Sequence, residues 1–380
     1  MQVLDDVFSV MDQIKTVQPQ SVFQAAQQQA QNKIVADSEA LRTNPYLIER
    51  RVPNFEDGIA INQDGYVYGT KDFLRMLQPQ HNRKNKRQYN IAFYGQAGTG
   101  KTALGYYLAD LLNAQAIDEN VETHKENLKR SAAGQDLLEY KALPYPIYHV
   151  SCHEASRSED FTVSTKIVVK NGQTTMEEIR NAAVKAYSEG GILFIEEYDM
   201  APPGVWAEMH DLLEPESKSV TYWANGYKEY HKHPNFLCIA TGNTKGLGEA
   251  AVDFAGTQQQ NKAFLSRFRW FEITYLPADT EIRILKDNGM RSDAAEKMVQ
   301  VATRIRKAAK NDEFQIEMSL RDLISWGDEA LDLAEVLGLD SSTSLVNYWE
   351  RAVQPAAYPT FVNRAEETDI VGIQTYLKIV

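Results

Sequence analysis

Eight consecutive residues, Gly95–Gln96–Ala97–Gly98–Thr99–Gly100–Lys101–Thr102, have the types and spacing to grip a polyphosphate. They follow the form G-x-x-x-x-G-K-[ST], in which glycines let backbone N–H groups converge on phosphate oxygens. Lys101 would reach the β- and γ-phosphates. The Thr102 hydroxyl would ligate Mg²⁺, and Ala103 continues into a helix whose N-terminus favours anions. A second set is Glu196–Glu197, two acids closing the apolar run Ile192–Leu193–Phe194–Ile195. Adjacent carboxylates repel, so packing alone does not account for them. Glu196 suits a metal held through water, and Glu197 suits a general base that polarises the attacking water. A third candidate is Asn243 in Ala240–Thr241–Gly242–Asn243–Thr244, which can hydrogen-bond both that water and a phosphate oxygen.

These groups need strands to carry them. Ile91–Tyr94 reads as a buried strand before the loop, and Ala103–Leu112 as the helix after it. Ile147–Cys152, Ile192–Ile195, Phe236–Thr241 and Phe271–Leu276 read as four more strands. Their alternation with helices predicts an α/β fold, a five-stranded parallel sheet between helices. Asn171–Gly172 and Asn225–Gly226 have the chemistry of type I′ turns and predict two hairpin inserts, Lys166–Lys170 with Gln173–Thr175 and Val220–Trp223 with Tyr227–Tyr230. A polar stretch is expected over residues 115–143, and a helix from about Met176 to Tyr187. Beyond Pro277 the periodicity is helical, through Ile282–Leu285, Ala294–Ala308 with Ser292 as N-cap, and Leu320–Leu337.

The division that follows has three parts. Residues 1–45 form an extension, with an apolar stripe of Leu4, Val7, Phe8, Met11 and Ile14 and then a glutamine-rich segment. It reads as a flexible arm or a docking helix. Residues 46–276 form the nucleotide-binding α/β domain, and residues 277–380 a small helical lid with a C-terminal tail. Within the second part, Leu74, Met76 and Leu77 lie on an expected amphipathic helix that leads to the basic cluster His81–Arg87.

The 380 residues carry a net charge of −12, which argues against a surface built to hold nucleic acid. The basic cluster also lacks the interleaved aromatics that stacking on bases needs. The two cysteines, Cys152 and Cys238, exclude a disulfide scaffold and fit a reducing cytosol. Cys152–His153 and His231–Lys232–His233 lack metal-ligand spacing and read as structural. No apolar run is long enough to cross a membrane, and the N-terminus lacks the form of a signal peptide. The expected location is the cytoplasm, that of a host if the chain is viral.

Longer motifs make the reading specific. Glu196–Glu197–Tyr198–Asp199–Met200–Ala201–Pro202–Pro203, Ile239–Gly248 and Gly256–Asn261 resemble AAA+ ATPases of the MoxR/CobS branch, above all the CobS type of cobaltochelatase subunit. Ser266–Arg267–Phe268 and Met318–Ser319–Leu320–Arg321 fall on that family's arginine-finger and second-sensor motifs. The resemblance covers roughly residues 65–330. It implies a homo-oligomeric ring, usually hexameric, with ATP and Mg²⁺ at subunit interfaces. It implies that Arg267, or Arg269 in its place, acts on a neighbour's γ-phosphate and that Arg321 contacts phosphate in cis. Tyr68 and Gly69 match the segment lining the adenine pocket. The hairpins match elements facing the pore or a partner, and a von Willebrand factor A-domain protein is the partner implied. Two positions depart from the family: Glu196 stands where aspartate is usual, and Ser266 replaces the acid before the finger. The expected function is therefore ATP hydrolysis that remodels or energises a partner complex, as in cobaltochelatase. The competing expectations are an ATP-gated assembly module with little turnover, or a MoxR-type chaperone unrelated to cobalamin.

Overall fold

The computed structural model describes residues 89–138, 146–170, 173–223, 226–246 and 256–378, together with residues 60–61, 67–68, 73 and 76–77. The N-terminal stripe, Gly69, Leu74, the basic cluster, both Asn-Gly asparagines and residues 247–255 lie outside the described residues. Among those described, residues 106–147 belong to one compact unit, and those before and after belong to another.

The second unit begins with two short antiparallel strands, β1 (Ala60–Ile61) and β2 (Val67–Tyr68). Five further strands build the central sheet: β3 (Asn90–Tyr94), β4 (Ile147–Ser151), β7 (Gly191–Glu196), β10 (Phe236–Gly242) and β11 (Phe268–Glu272). Their spatial order is β11-β3-β10-β7-β4, with β11, β3, β10 and β7 parallel. The expected α/β class is the one found. β3, β7 and β10 are buried along nearly their whole length, which explains their continuous apolar runs. In this order β10 lies between the strand feeding the glycine loop and the strand ending in the acids.

Both hairpins form. β5 (Val163–Lys170) pairs with β6 (Gln173–Arg180), and β8 (Ser219–Trp223) with β9 (Tyr227–His231). The first is longer than its sequence suggests. Met176–Arg180, expected as helix, continues β6 opposite Val163–Ile167. Cross-strand pairs outweigh the helical propensity of Met176 and Glu177. Lys166 faces Glu177 at 3.7 Å, while Glu178 accepts from Lys228 and, at 2.8 Å, from the Tyr230 hydroxyl on β9. The helix follows later, at Ala182–Glu189.

Two other boundaries move. The helix after the loop, α1, runs from Lys101 to Ala132, so most of the stretch expected to be merely polar is helical. Its outer part, in the first compact unit, carries the i,i+3 ion pairs Glu122–Lys125 (2.6 Å) and Glu126–Lys129 (3.7 Å). The last strand of the sheet begins three residues earlier than expected. Phe268 and Phe271 turn into the core, and the Trp270 indole donates to Leu265 O at 2.6 Å. Ile273 makes one last bond to Tyr94 O at 2.8 Å, and the chain leaves the sheet.

The core under the sheet is aromatic. Trp206 stacks on Phe264 at 4.7 Å, and Tyr198 meets Trp270 edge-on at 5.2 Å. From Ala278 onward the described elements are helical. They include α2 (Ala278–Asp287), α3 (Ser292–Lys310), α4 (Leu320–Val336) and α5 (Glu367–Leu377). Ser292 is the first residue of α3, and Arg291 takes the cap position. A second core forms around Trp326, whose ring meets Trp349 at 5.9 Å and Phe361 at 5.3 Å. Each indole N–H is satisfied, Trp326 by Val353 O and Trp349 by Leu377 O, both at 2.7 Å.

Candidate nucleotide site

The site lies at the C-terminal edge of the sheet, where parallel α/β folds bind ligands. The glycine loop leaves β3 and turns into α1. Gly95 has φ +139°, and a Cβ there would sit 2.3 Å from Ile273 O, so only glycine fits. Gly98 has φ +71°, and a Cβ there would sit 2.5 Å from the Ser319 Cβ. The N-terminus of α4 therefore rests directly against the loop. Ser319 caps that helix, accepting from Asp322 N at 3.1 Å, while Asp322 accepts from Ser319 N at 3.0 Å. The cap places Arg321, exposed on the first turn of α4, beside Gly98.

Lys101 is buried. Its ammonium donates to Gly95 O at 2.8 Å, to Gln96 O at 2.7 Å and to Asn243 Oδ1 at 3.3 Å. Burial lowers its pKa to about 8, assisted by the Arg321 charge and opposed by Asp199 and Glu197. Thr99 is buried and donates to Gln96 O at 2.9 Å, while Ala97 is exposed at the loop's crest. Ala103 follows Thr102 in the first turn of α1.

Glu196 ends β7. One of its oxygens accepts from the Thr102 hydroxyl at 2.5 Å, and the other lies 2.8 Å from His149 Nε2 on β4. The His149 ring stacks on Phe194 at 5.9 Å. Sequence reasoning missed His149, since a histidine inside a strand carries no signal of the carboxylate that will meet it. Glu197 follows in the left-handed conformation (φ 54°, ψ 43°), which is uncommon for a residue with a side chain. It is exposed, and such strain clusters at functional sites. Asn243 stands at the tip of β10. The structure thus brings together two bonded pairs, Lys101 with Asn243 and Thr102 with Glu196, carried by consecutive residues of the loop–helix junction, with Glu197 next in the chain.

The two arginines differ. Arg267 turns into its own chain: its guanidinium donates to His210 O at 2.8 Å and Ala263 O at 2.5 Å and lies 3.7 Å from Glu214. Arg269 is exposed, with its guanidinium 4.5 Å from the centre of the Tyr89 ring. Tyr68 lies in β2, where its backbone pairs with Ala60.

The donor set fits a magnesium nucleotide. Hard oxygens from Thr102 and Glu196 adjoin each other and would suit Mg²⁺. The positive-φ glycines and the Lys101 ammonium offer donors to phosphate oxygens.

Residues 136–268 match the AAA domain of the dynein-related subfamily, and residues 281–331 match the CbbQ/NirQ/NorQ C-terminal domain. The glycine loop lies before both ranges, so its assignment stands on its own geometry. The chain is 28% identical over 293 residues to the aerobic cobaltochelatase subunit CobS of a Sinorhizobium species, covering 74% of this chain and 76% of that one. It is 25% identical over 273 residues to an uncharacterised protein of Staphylococcus saprophyticus, covering 71% and 85%. The Thermotoga maritima RuvB Holliday junction branch migration motor overlaps it with a TM-score of 0.40 at 13% identity, over 78% of this chain and 73% of that one. The chain matches a dynein-related AAA domain followed by a CbbQ/NirQ/NorQ-type C-terminal domain, an arrangement similar to AAA+ proteins of the MoxR-like, CobS-like kind.

Proposed function

We propose that this chain hydrolyses ATP at the subunit interfaces of a ring and uses the energy to remodel or energise a partner complex. One observation carries the reading. Two consecutive residues at the end of the glycine loop reach the two neighbouring strands: Lys101 bonds the amide at the tip of β10, and Thr102 bonds the first acid of β7.

Gly95–Thr102 hold the triphosphate through loop amides and Lys101, and Thr102 with Glu196 hold Mg²⁺. Bound there, the metal would neutralise charge on the phosphate. Glu197 orients and deprotonates water as general base, and Asn243 holds that water against the phosphate. Arg321 reports nucleotide through α4 in cis. The adenine falls to Tyr68 and Gly69 by the family resemblance of their segment. The arginine acting in trans is Arg267 or Arg269, at the entry to β11. Arg269 is the more exposed of the two and suits that role, whereas Arg267 braces its own subunit.

A von Willebrand factor A-domain partner and a cytoplasmic, cobaltochelatase-like role follow by analogy with CobS. A MoxR-type chaperone acting on another complex uses the same chemistry. Among the described residues no helix is long and apolar enough to cross a membrane. Steady-state phosphate release from Mg²⁺-ATP by the purified chain, beside Lys101→Ala, is the test. Release by the parent and none by the variant supports the reading. A chain that binds ATP and assembles without turnover, alone or with a partner, would instead be an ATP-gated module. The longer acid at Glu196, already held by Thr102 and His149, is the feature that favours that second reading.

A further inference from the structure

Two residues beyond the paired acids, Asp199 lies in a single 3-10 turn, Tyr198–Met200, and is completely buried. One of its oxygens, Oδ2, takes three donors from the tip of β10: Asn243 N at 2.9 Å, Thr244 N at 2.7 Å and the Thr244 hydroxyl at 3.0 Å. The backbone is tied as well. Asp199 O accepts from Gln258 N at 2.7 Å, and the neighbouring Tyr198 hydroxyl donates to Thr244 O. The approach is close, since a Cβ on Gly242 would stand 2.5 Å from the Tyr198 ring and 2.9 Å from Asp199 Oδ1. That second oxygen is buried without a hydrogen-bond partner. A buried carboxylate is costly, and half of this one is unsatisfied. The return is that a single anionic acceptor gathers both backbone N–H groups and the hydroxyl of Asn243–Thr244.

We propose that Asp199 is a positioning residue that fixes the tip of β10, and with it the Asn243 amide, relative to Glu197 and Lys101. The acids and Asn243 come from different strands, and their spacing is otherwise left to the register of β7 against β10. Asp199 sets it directly, from the turn that carries Glu197. The part concerning turnover rests on the ATPase reading, whereas the part concerning the strand tip does not.

The test has two arms. Amide hydrogen exchange of Asp199→Ala should quicken about tenfold or more at Asn243 and Thr244, with Phe236–Ala240 unchanged. Asp199→Asn, which keeps the shape and a neutral acceptor, should fall between parent and alanine. It replaces the alanine variant if that one does not fold. In the second arm, Asp199→Ala should lower kcat about tenfold to a hundredfold with ATP affinity within about threefold of the parent. The double variant Asp199→Ala/Asn243→Ala should be no slower than Asn243→Ala alone. Unchanged exchange at the two amides, or effects on kcat that multiply in the double variant, would overturn the proposal. A parent protein that releases no phosphate counts against the ATPase reading, and the exchange result then decides the role of Asp199 by itself.

Discussion

Lys101 carries a charge where charge is expensive. Its ammonium is buried, its pKa falls to about 8, and its nearest acceptors are carbonyls of its own loop. The folded value lies below the ordinary 10.5, so the folded state binds this proton less tightly than the unfolded chain. Stability from this group should therefore rise as pH climbs from 8 towards 10.5. Nucleotide affinity should run the opposite way, because phosphate attracts only the charged form. Titration with ATP should show affinity level below pH 8 and falling by up to about tenfold per pH unit above it. The loop, the acids and Asn243 were legible in the sequence because their chemistry is tied to fixed spacing. His149 and Asp199 were not legible as partners of Glu196 and Asn243, since each meets its partner across strands far apart in the chain.

Elements were legible where a single period ran unbroken. β3, β7 and β10 are continuous apolar runs, and their places were evident from the sequence. Met176–Arg180 has helical residue types and became strand because Lys166 on β5, and Lys228 and Tyr230 on β9 of the other hairpin, are partners for its acids. The start of β11 was misread because its alternation depends on which aromatic faces the core. Contacts between elements also set the cost of substitutions. A Cβ on Gly105, in the second turn of α1, would stand 2.0 Å from the Phe194 ring of β7. Gly105→Ala should destabilise the fold by about 1–3 kcal/mol in denaturant titration, despite the better helix propensity of alanine. Ser319→Ala removes the cap of α4, which should cost about 1 kcal/mol. It should also weaken nucleotide binding, because this cap rests on Gly98.

The whole molecule is acidic, with net charge −12, and its proposed chemistry needs a second copy to complete the site. AAA+ proteins generally act as oligomers, and Arg267, just before β11, and Arg269, within it, provide a means of detecting such assembly. Arg269→Ala should leave nucleotide affinity intact and lower turnover by about 10³-fold in the assembled state, the scale of a lost trans arginine. Arg267→Ala should act mainly on stability, because its guanidinium bonds to His210 O and Ala263 O of the same chain. Sedimentation and turnover measured together would separate the two. A loss of turnover with Arg267→Ala at full stability would reverse the assignment.

The central claim is that a lysine-bearing loop holds ATP while Glu197 activates water against it. Phosphate release by Glu197→Gln under saturating Mg²⁺-ATP tests it most directly. The account predicts ATP affinity close to that of the parent and turnover lower by about 10²-fold or more. Release at the parent rate would contradict it.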